Sequence, residues 1–330
     1  MFNIKKVIAT ILTIALFLAS TATTQAFASS QELFKEPQTY EEITDYLKRN
    51  ANTEVVEIKE IDYLKQLQAL QAYSKEELVE AGYTEKDAEE IIDYDFNEEL
   101  LKFTQKPVDE FKAMGYTNSQ IKKFREYDGT IDAIEYLEIN ALSSATLTVS
   151  WLPLAALCNR NQFRIIYNTE WNTSPMITAK DMIAIAWVAA DSFSNVKAMK
   201  YDEAPTLTVK YYDGWNNLVY SPTLSANSLN HTSLADFDIA MSMQQALGWA
   251  KFTAGSIKVS TQSNSNNIET IAFVLCYGHT VITLGSPSLS IDISGQGSLS
   301  ISPSWQTENT YNVYRVYKYD GNLISEIKYN

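Results

Sequence analysis

Two histidines are the residues of this sequence that best suit acid–base catalysis. They are His231, in a stretch rich in Ser and Asn, and His279, which follows an apolar run. A Ser-His-Asp hydrolase would have to use one of them, because that mechanism needs an imidazole to carry the proton. The sequence has no Gly-x-Ser-x-Gly elbow and no phosphate-binding glycine loop. We therefore predict no catalytic residues, and an extracellular hydrolase is the weakest of three functional hypotheses.

Metal and cofactor sites are not predicted either. The stretch 93–104 begins like a calcium-binding loop but lacks both the glycine and the final glutamate that such a loop requires. The two cysteines, Cys158 and Cys276, do not have the Cys-x-x-Cys spacing of a metal site. In an exported protein they could form one disulfide, and the alternative is two buried thiols.

Aromatic residues in polar surroundings are the stronger functional signal. All six tryptophans follow residue 150, and several lie between Asn, Thr and Ser residues. The candidate ligand-binding aromatics are Trp171, Tyr211, Tyr212, Trp215 and Trp305. Exposed aromatic faces flanked by amides can stack against sugars, which would make the ligand a cell-wall glycan. The alternative is that these rings close the ends of a hydrophobic core.

Residues 288–302 form the clearest amphipathic pattern, with serines alternating against aliphatic residues. The aliphatic positions are Leu289, Ile291, Ile293, Leu299 and Ile301. Ser-rich amphipathic hairpins are typical of β-pore-forming toxins, so a toxin-like protein is the second functional hypothesis. In that hypothesis an acidic helical domain targets or shields the membrane-active part. Each arm is only about five to seven residues long, whereas a membrane-spanning strand needs roughly 9–11. A half-buried hairpin of a water-soluble protein is the alternative, and membrane contact is not favoured.

The second part of the chain has the period-two pattern of β-strands. Alternating segments are joined by Gly, Asn and Ser turns, and Asp213-Gly214 and Asp320-Gly321 are typical hairpin turns. Residues 178–190 are compatible with a short helix or a buried strand, and we interpret residues 181–187 as a strand. The pattern predicts an antiparallel β-sandwich over residues 143–330.

The preceding part has helical signals and an internal repeat. Thr39 and Ser74 each begin a capping box, with Glu three residues later. A Gly-Tyr-Thr motif follows a helical pattern at residue 82 and again at residue 115, and a Tyr-Asp pair follows each copy at the same offset of 33. The sequence therefore predicts two helix–turn–helix units, at about 74–97 and 107–130, within a small all-α domain.

The balance of acidic and basic residues also differs between these two regions. Residues 29–142 contain 27 acidic and 13 basic residues, whereas residues 143–330 contain 13 acidic and 11 basic residues. This difference predicts an acidic α-helical domain over 29–142 and a β-domain over 143–330, a fold that is α+β by domain. The acidic balance argues against nucleic-acid binding, which requires clustered Lys and Arg.

The first 28 residues have the organisation of a secretory signal peptide. Lys5 and Lys6 precede a short apolar run, and small residues at Ala26 and Ala28 predict cleavage before Ser29. No cysteine lies near the cleavage site and the C-terminus has no apolar tail, so we expect a secreted, extracellular protein without a lipid or C-terminal anchor. In composition and export signal the chain resembles exported proteins of Gram-positive bacteria. The leading hypothesis is a non-enzymatic extracellular protein that binds a cell-wall glycan or a cell-surface protein and needs no cofactor.

Overall fold

In the described part of the chain, the α-helices come before the strands, apart from one strand that lies between the first two helices. The computed structural model describes residues 34–142, 144–176, 180–197, 199–226, 229–230, 234–243, 248–261, 268–279, 289–293, 299–303 and 308–328. The α-helices in these ranges are α1 (Tyr40–Asn50), α2 (Glu60–Leu70), α3 (Lys75–Glu80), α4 (Glu85–Asp93), α5 (Phe96–Thr104), α6 (Val108–Ala113), α7 (Asn118–Glu126) and α8 (Ala133–Asn140). Contacts group the chain from Pro37 onward into one unit.

The strands belong to two large antiparallel sheets and one small hairpin. They are β1 (Thr53–Lys59), β2 (Ser144–Pro153), β3 (Gln162–Thr173), β4 (Lys180–Ala190), β5 (Val196–Lys197), β6 (Met199–Tyr201), β7 (Thr206–Tyr212), β8 (Leu218–Tyr220), β9 (Thr223–Ser225), β10 (Leu229–Asn230), β11 (Leu234–Ala240), β12 (Ser242–Met243), β13 (Gly248–Thr261), β14 (Thr270–His279), β15 (Leu289–Ile293), β16 (Leu299–Pro303), β17 (Glu308–Lys318) and β18 (Leu323–Lys328). Sheet I has the order β1-β2-β3-β13-β7-β8, with β6, β9 and β12 paired beside this path. Sheet II has the order β10-β11-β4-β14-β17-β18, with β5 paired to β4.

Capping boxes fix where the helices begin. The hydroxyl groups of Thr39, Ser74, Thr84 and Thr117 each accept a hydrogen bond from the backbone three residues later. The side chain at that later position accepts a hydrogen bond from the capping residue in return. These reciprocal bonds satisfy N–H groups that have no partner inside the helix, and they confirm the caps predicted at Thr39 and Ser74.

The predicted repeat is present as two short helix pairs, α3–α4 and α6–α7. Gly82 and Gly115 end the first helix of each pair with φ of +104° and +89°, a backbone region that glycine enters without strain. In each copy the following tyrosine donates its backbone N–H to a carbonyl five residues earlier, Tyr83 to Leu78 and Tyr116 to Phe111. The two helix pairs thus have the same helix ends at a spacing of 33 residues.

One strand lies inside the region that the sequence pattern assigned to helices. β1 pairs antiparallel with β2, from Thr53 opposite Ser150 to Lys59 opposite Ser144. Ile58 is buried and Glu54 and Val56 are half-buried, whereas the residues between them are exposed, which suits an edge strand with one face toward the core. The acidic region thus supplies an edge of sheet I and is not wholly helical.

The two sheets share one hydrophobic core. Trp151 and Phe163 of sheet I belong to the same cluster of buried side chains as Trp187 and Phe273 of sheet II. On the other side of sheet I, α1 packs through Ile43 and Leu47. The fold is therefore mixed α+β with antiparallel sheets.

The segment 181–187 is a strand, as we interpreted it. It lies in β4, which is buried on both faces. Ile183, Ile185 and Trp187 point into the shared core, and Ala184 and Ala186 belong to a second cluster on the opposite face of sheet II.

The predicted amphipathic hairpin forms as β15 and β16, paired from Leu289 opposite Pro303 to Ile293 opposite Leu299. β16 also contacts β4, β14 and β17. Each arm is five residues long, about half of the roughly 9–11 residues that a membrane-spanning strand needs. Among the described residues, no helix combines the length and apolar character required to cross a bilayer.

Candidate ligand-binding surface

Trp215 protrudes from the surface on a turn that is stabilised by hydrogen bonds to Asp213. Asp213 Oδ1 accepts hydrogen bonds from the backbone N–H groups of Trp215 (2.9 Å) and Asn217 (2.8 Å). Its Oδ2 accepts a further bond from the Asn217 side chain at 3.1 Å. These donors, the Asn217 backbone first, hold the pKa of Asp213 below its usual value. The turn leaves Trp215 71% exposed.

A lysine surrounded by aromatic rings lies beside this turn. Lys251 donates a hydrogen bond to Asn216 Oδ1 at 3.0 Å. Its ammonium nitrogen is 5.9 Å from the ring centre of Tyr212 and 5.4 Å from that of Phe252. Burial lowers the pKa of Lys251. We name Tyr212, Trp215, Asn216, Asn217 and Lys251 the Trp215 surface.

The second repeat unit packs beside the Trp215 surface. A Cβ on Gly214 would lie 3.1 Å from Glu110 Cβ, so the turn closely approaches α6. Nearby, the Ser174 backbone N–H donates to the Met114 carbonyl at 2.7 Å. The Tyr116 hydroxyl donates to the Ser174 carbonyl at 2.9 Å. The helices therefore support this end of the sheets.

Two of the predicted ligand-binding aromatics are core residues instead. Trp171 and Tyr211 are buried, and their polar groups are used internally. Trp171 Nε1 donates to the Tyr277 hydroxyl, and the Tyr211 hydroxyl donates to the Ala240 carbonyl at 2.8 Å. The prediction that they bind ligand is wrong, because successive strand residues point to opposite faces and both point inward.

The structure places only some of the predicted site residues close together. Tyr212 and Trp215 lie on one surface, as described above. Trp305, His231 and the cleavage-site residues Ala26, Ala28 and Ser29 lie outside the described residues. For the hairpin residues Leu289, Ile291, Ile293, Leu299 and Ile301, the backbone pairing is described but the side chains are not.

A buried polar network lies between the sheets and was not predicted from the sequence. Asp181 accepts hydrogen bonds from the Tyr277 hydroxyl and from His279 Nδ1, the latter at 2.7 Å. Asp181 and His279 have no exposed side-chain surface. Burial, and secondly the Asp181 charge, raises the pKa of Tyr277 well above its usual value. The available signal was a charged residue within an otherwise apolar strand.

The cysteines are not joined by a disulfide. The Cys158 thiol donates to the Leu154 carbonyl at 3.2 Å, whereas Cys276 lies in the cluster on the outer face of sheet II. Burial raises the pKa of Cys158 to about 11 and that of Cys276 to about 12. Of the two alternatives, the structure has the pair of thiols. Among the described residues, no group of three or more His, Cys, Asp or Glu side chains is placed to hold a metal ion.

A second turn repeats the geometry around Trp215. Asp191 Oδ1 accepts the backbone N–H groups of Phe193 and Asn195, both at 2.9 Å, and Phe193 is 84% exposed. The residue after each aromatic, Ser194 or Asn216, has φ of +63°. The shared pattern Asp-x-aromatic-x-Asn at 191–195 and 213–217 could have been found in the sequence.

The two turns lie at opposite ends of the sheets. In sheet I, Phe252 of β13 pairs with Glu170 of β3 on one side and with Lys210 of β7 on the other. Tyr212 of β7 and Trp171 of β3 therefore lie at the same end of the sheet. Through Tyr277, Trp171 is linked to Asp181, at the start of β4. The Phe193 turn follows the far end of β4, at Ala190.

No family model matches the sequence, and no curated protein matches it at a significant level. Among solved structures, AvmM, which catalyses macrocyclization in alchivemycin A biosynthesis, matches with 8% identity over 48% of this chain and 86% of its own, with a TM-score of 0.25. The collagen-binding subdomain of the Enterococcus faecalis surface protein ACE matches with 8% identity over 44% and 84%, with a TM-score of 0.22. The KRT10-binding region domain of the pneumococcal serine-rich repeat protein PsrP matches with 8% identity over 48% and 89%, with a TM-score of 0.21. Similarity at this level carries no argument about function.

Proposed function

We propose that the protein is an exported binding protein that holds a cell-wall glycan against the Trp215 surface. The observation that carries this proposal is the 71% exposed indole of Trp215 on a turn fixed by Asp213. The negative face of an aromatic ring attracts the C–H groups of a sugar ring. The neighbouring Asn216 and Asn217 carry amide groups of the kind that hydrogen-bond to sugar hydroxyls.

The rigidity of the turn supports a role in recognition. Three hydrogen bonds to the Asp213 carboxylate hold the turn before any ligand arrives. A binding surface that is already ordered loses less conformational entropy when the ligand binds. An indole buries a large area at low entropic cost, which explains why aromatic residues dominate many binding surfaces.

Export and the β-sandwich architecture are parts of the same proposal. The charged start, apolar run and Ala26-x-Ala28 motif support cleavage before Ser29 and secretion. The core shared between sheets I and II supports a sandwich of two antiparallel sheets. In this architecture the Trp215 surface and the second repeat unit lie at one end of the sandwich.

A pull-down with insoluble peptidoglycan tests the proposal. The mature chain from Ser29 is compared with Trp215→Ala and with Phe193→Ala, which removes an even more exposed aromatic from the matching turn at the other end. We expect the unmodified chain and Phe193→Ala to sediment with the glycan. We expect Trp215→Ala to lose most of its binding. The proposal is wrong if the unmodified chain does not bind, or if Trp215→Ala binds as well as it does.

A further inference from the structure

A cavity of about 520 Å³ lies among α2, α5 and α8 and the connection from β3 to β4. Nine of its twelve lining residues are aliphatic or aromatic. They include Leu64, Phe96, Leu100, Phe103, Ile134 and Leu137. Met176 closes the side toward the sheets, where its backbone N–H donates to buried Glu60 at 3.0 Å. The volume falls within the range of pockets that hold small molecules.

One residue of the cavity wall, Tyr94, has a buried hydroxyl. Among the described residues this hydroxyl has no hydrogen-bond partner. Its equivalent in the second repeat, Tyr127, donates to Asn97 Oδ1 at 2.8 Å. A buried hydroxyl without a partner costs about 1–3 kcal/mol. The second helix pair thus satisfies its tyrosine within the protein, whereas Tyr94, in the wall of the cavity, keeps a hydroxyl without a partner in the described part of the chain.

The charges around the cavity are already balanced. Lys102 is 2.8 Å from Glu98 and 2.9 Å from Glu99, and Lys106 forms an ion pair with Glu110. An anionic ligand beside Tyr94 would meet the carboxylates of Glu99 and Glu60. Burial, and secondly the charges of these carboxylates, raises the pKa of Tyr94, so its hydroxyl stays protonated. The lining thus favours an uncharged ligand.

We propose that this cavity binds an uncharged, mainly apolar small molecule whose single polar group hydrogen-bonds to the Tyr94 hydroxyl. The proposal is independent of glycan binding, because the cavity and the Trp215 surface have no residue in common. The same hydroxyl can donate to a carbonyl or accept from an N–H or O–H group. The apolar walls supply most of the binding free energy, and Tyr94 orients the ligand.

A matched pair of fluorescent probes tests the proposal on the full mature chain. N-phenyl-1-naphthylamine is uncharged, and 1-anilinonaphthalene-8-sulfonate carries the same rings with a sulfonate. We expect the uncharged probe to bind at one site per chain and the sulfonate to bind at least tenfold more weakly. Two variants then locate the site: Ala133→Leu adds volume to the cavity wall, and Tyr94→Phe removes the hydroxyl.

We expect Ala133→Leu to weaken binding of the uncharged probe at least tenfold. Tyr94→Phe should weaken it about two- to tenfold, as expected for one hydrogen bond. Tyr127→Phe is the matched control and should leave the dissociation constant unchanged. The proposal is overturned if the uncharged probe does not bind, if both probes bind equally, or if Tyr94→Phe and Ala133→Leu bind the probe as tightly as the unmodified chain.

Discussion

The indole Nε1 of Trp171 donates a hydrogen bond to the Tyr277 hydroxyl at 3.0 Å, and this bond joins sheet I to sheet II. Tyr277 in turn donates to the Asp181 carboxylate, which also accepts from His279. A buried carboxylate is tolerated only when donors replace the water it has lost. The four side chains therefore form one continuous polar connection between the two sheets.

Replacing Tyr277 with Phe should destabilise the protein while preserving its shape. The change removes one donor to buried Asp181 and the acceptor of Trp171, leaving polar groups without partners in the core. We expect the free energy of unfolding to fall by about 1–3 kcal/mol, measured by urea denaturation. Tyr212→Phe is the control at a half-buried tyrosine and should change it by less than about 0.5 kcal/mol. Equal effects of the two variants would show that the buried network does not contribute as described.

Arg315 holds the edge strand β1 to sheet II. Its guanidinium, 7% exposed, donates to Glu54 at 2.7 Å, to Glu326 at 2.6 Å and to the Trp151 carbonyl at 3.0 Å. It also lies 4.3 Å from the Trp151 ring centre. Arg315→Met leaves the carboxylates of Glu54 and Glu326, near the core, without the guanidinium group.

We expect Arg315→Met to lower the free energy of unfolding by about 3 kcal/mol, as for other broken buried ion pairs. Lys65→Met removes an exposed ion pair, with Glu138 at 2.7 Å, and should change stability by less than about 1 kcal/mol. Urea denaturation of both variants provides the comparison. If Arg315→Met lowers the free energy of unfolding no more than the control does, Arg315 does not hold β1 to sheet II as described.

Local features of the fold could be predicted from the sequence, and long-range pairing could not. The caps at Thr39 and Ser74 and the 33-residue repeat depend on nearby residues, which spacing reveals. The sequence pattern did not predict β1, because its partner β2 lies about 90 residues later in the chain and no residue pattern near β1 indicates that pairing. Trp171 was assigned to a binding surface because its neighbours are polar, yet adjacent Asn172 is exposed while Trp171 is buried. The division into domains at residue 143 stays a prediction.

The thiols should react slowly in the folded protein. Burial raises the pKa of Cys158 to about 11 and of Cys276 to about 12. Because the thiolate is the reactive form, only a small fraction of either residue is reactive at pH 8. We expect a disulfide reagent such as 5,5′-dithiobis(2-nitrobenzoic acid) to modify fewer than 0.1 thiols per chain within minutes, and two per chain in denaturant. A result of no thiols in denaturant would indicate a disulfide and contradict the structure.

The two repeat glycines should respond very differently to the same substitution. Both have positive φ, so alanine at either position is strained by roughly 1–2 kcal/mol. At Gly82 a Cβ would meet no atom within 4 Å, and backbone strain is the whole cost. At Gly115 it would lie 1.9 Å from the Asn172 carbonyl oxygen, an overlap that forces α6 away from β3. We therefore expect Gly82→Ala to lower the melting temperature by a few degrees and Gly115→Ala to lower it by more than twice as much, measured by circular dichroism. Equal losses would show that the second repeat unit does not pack against sheet I through Gly115.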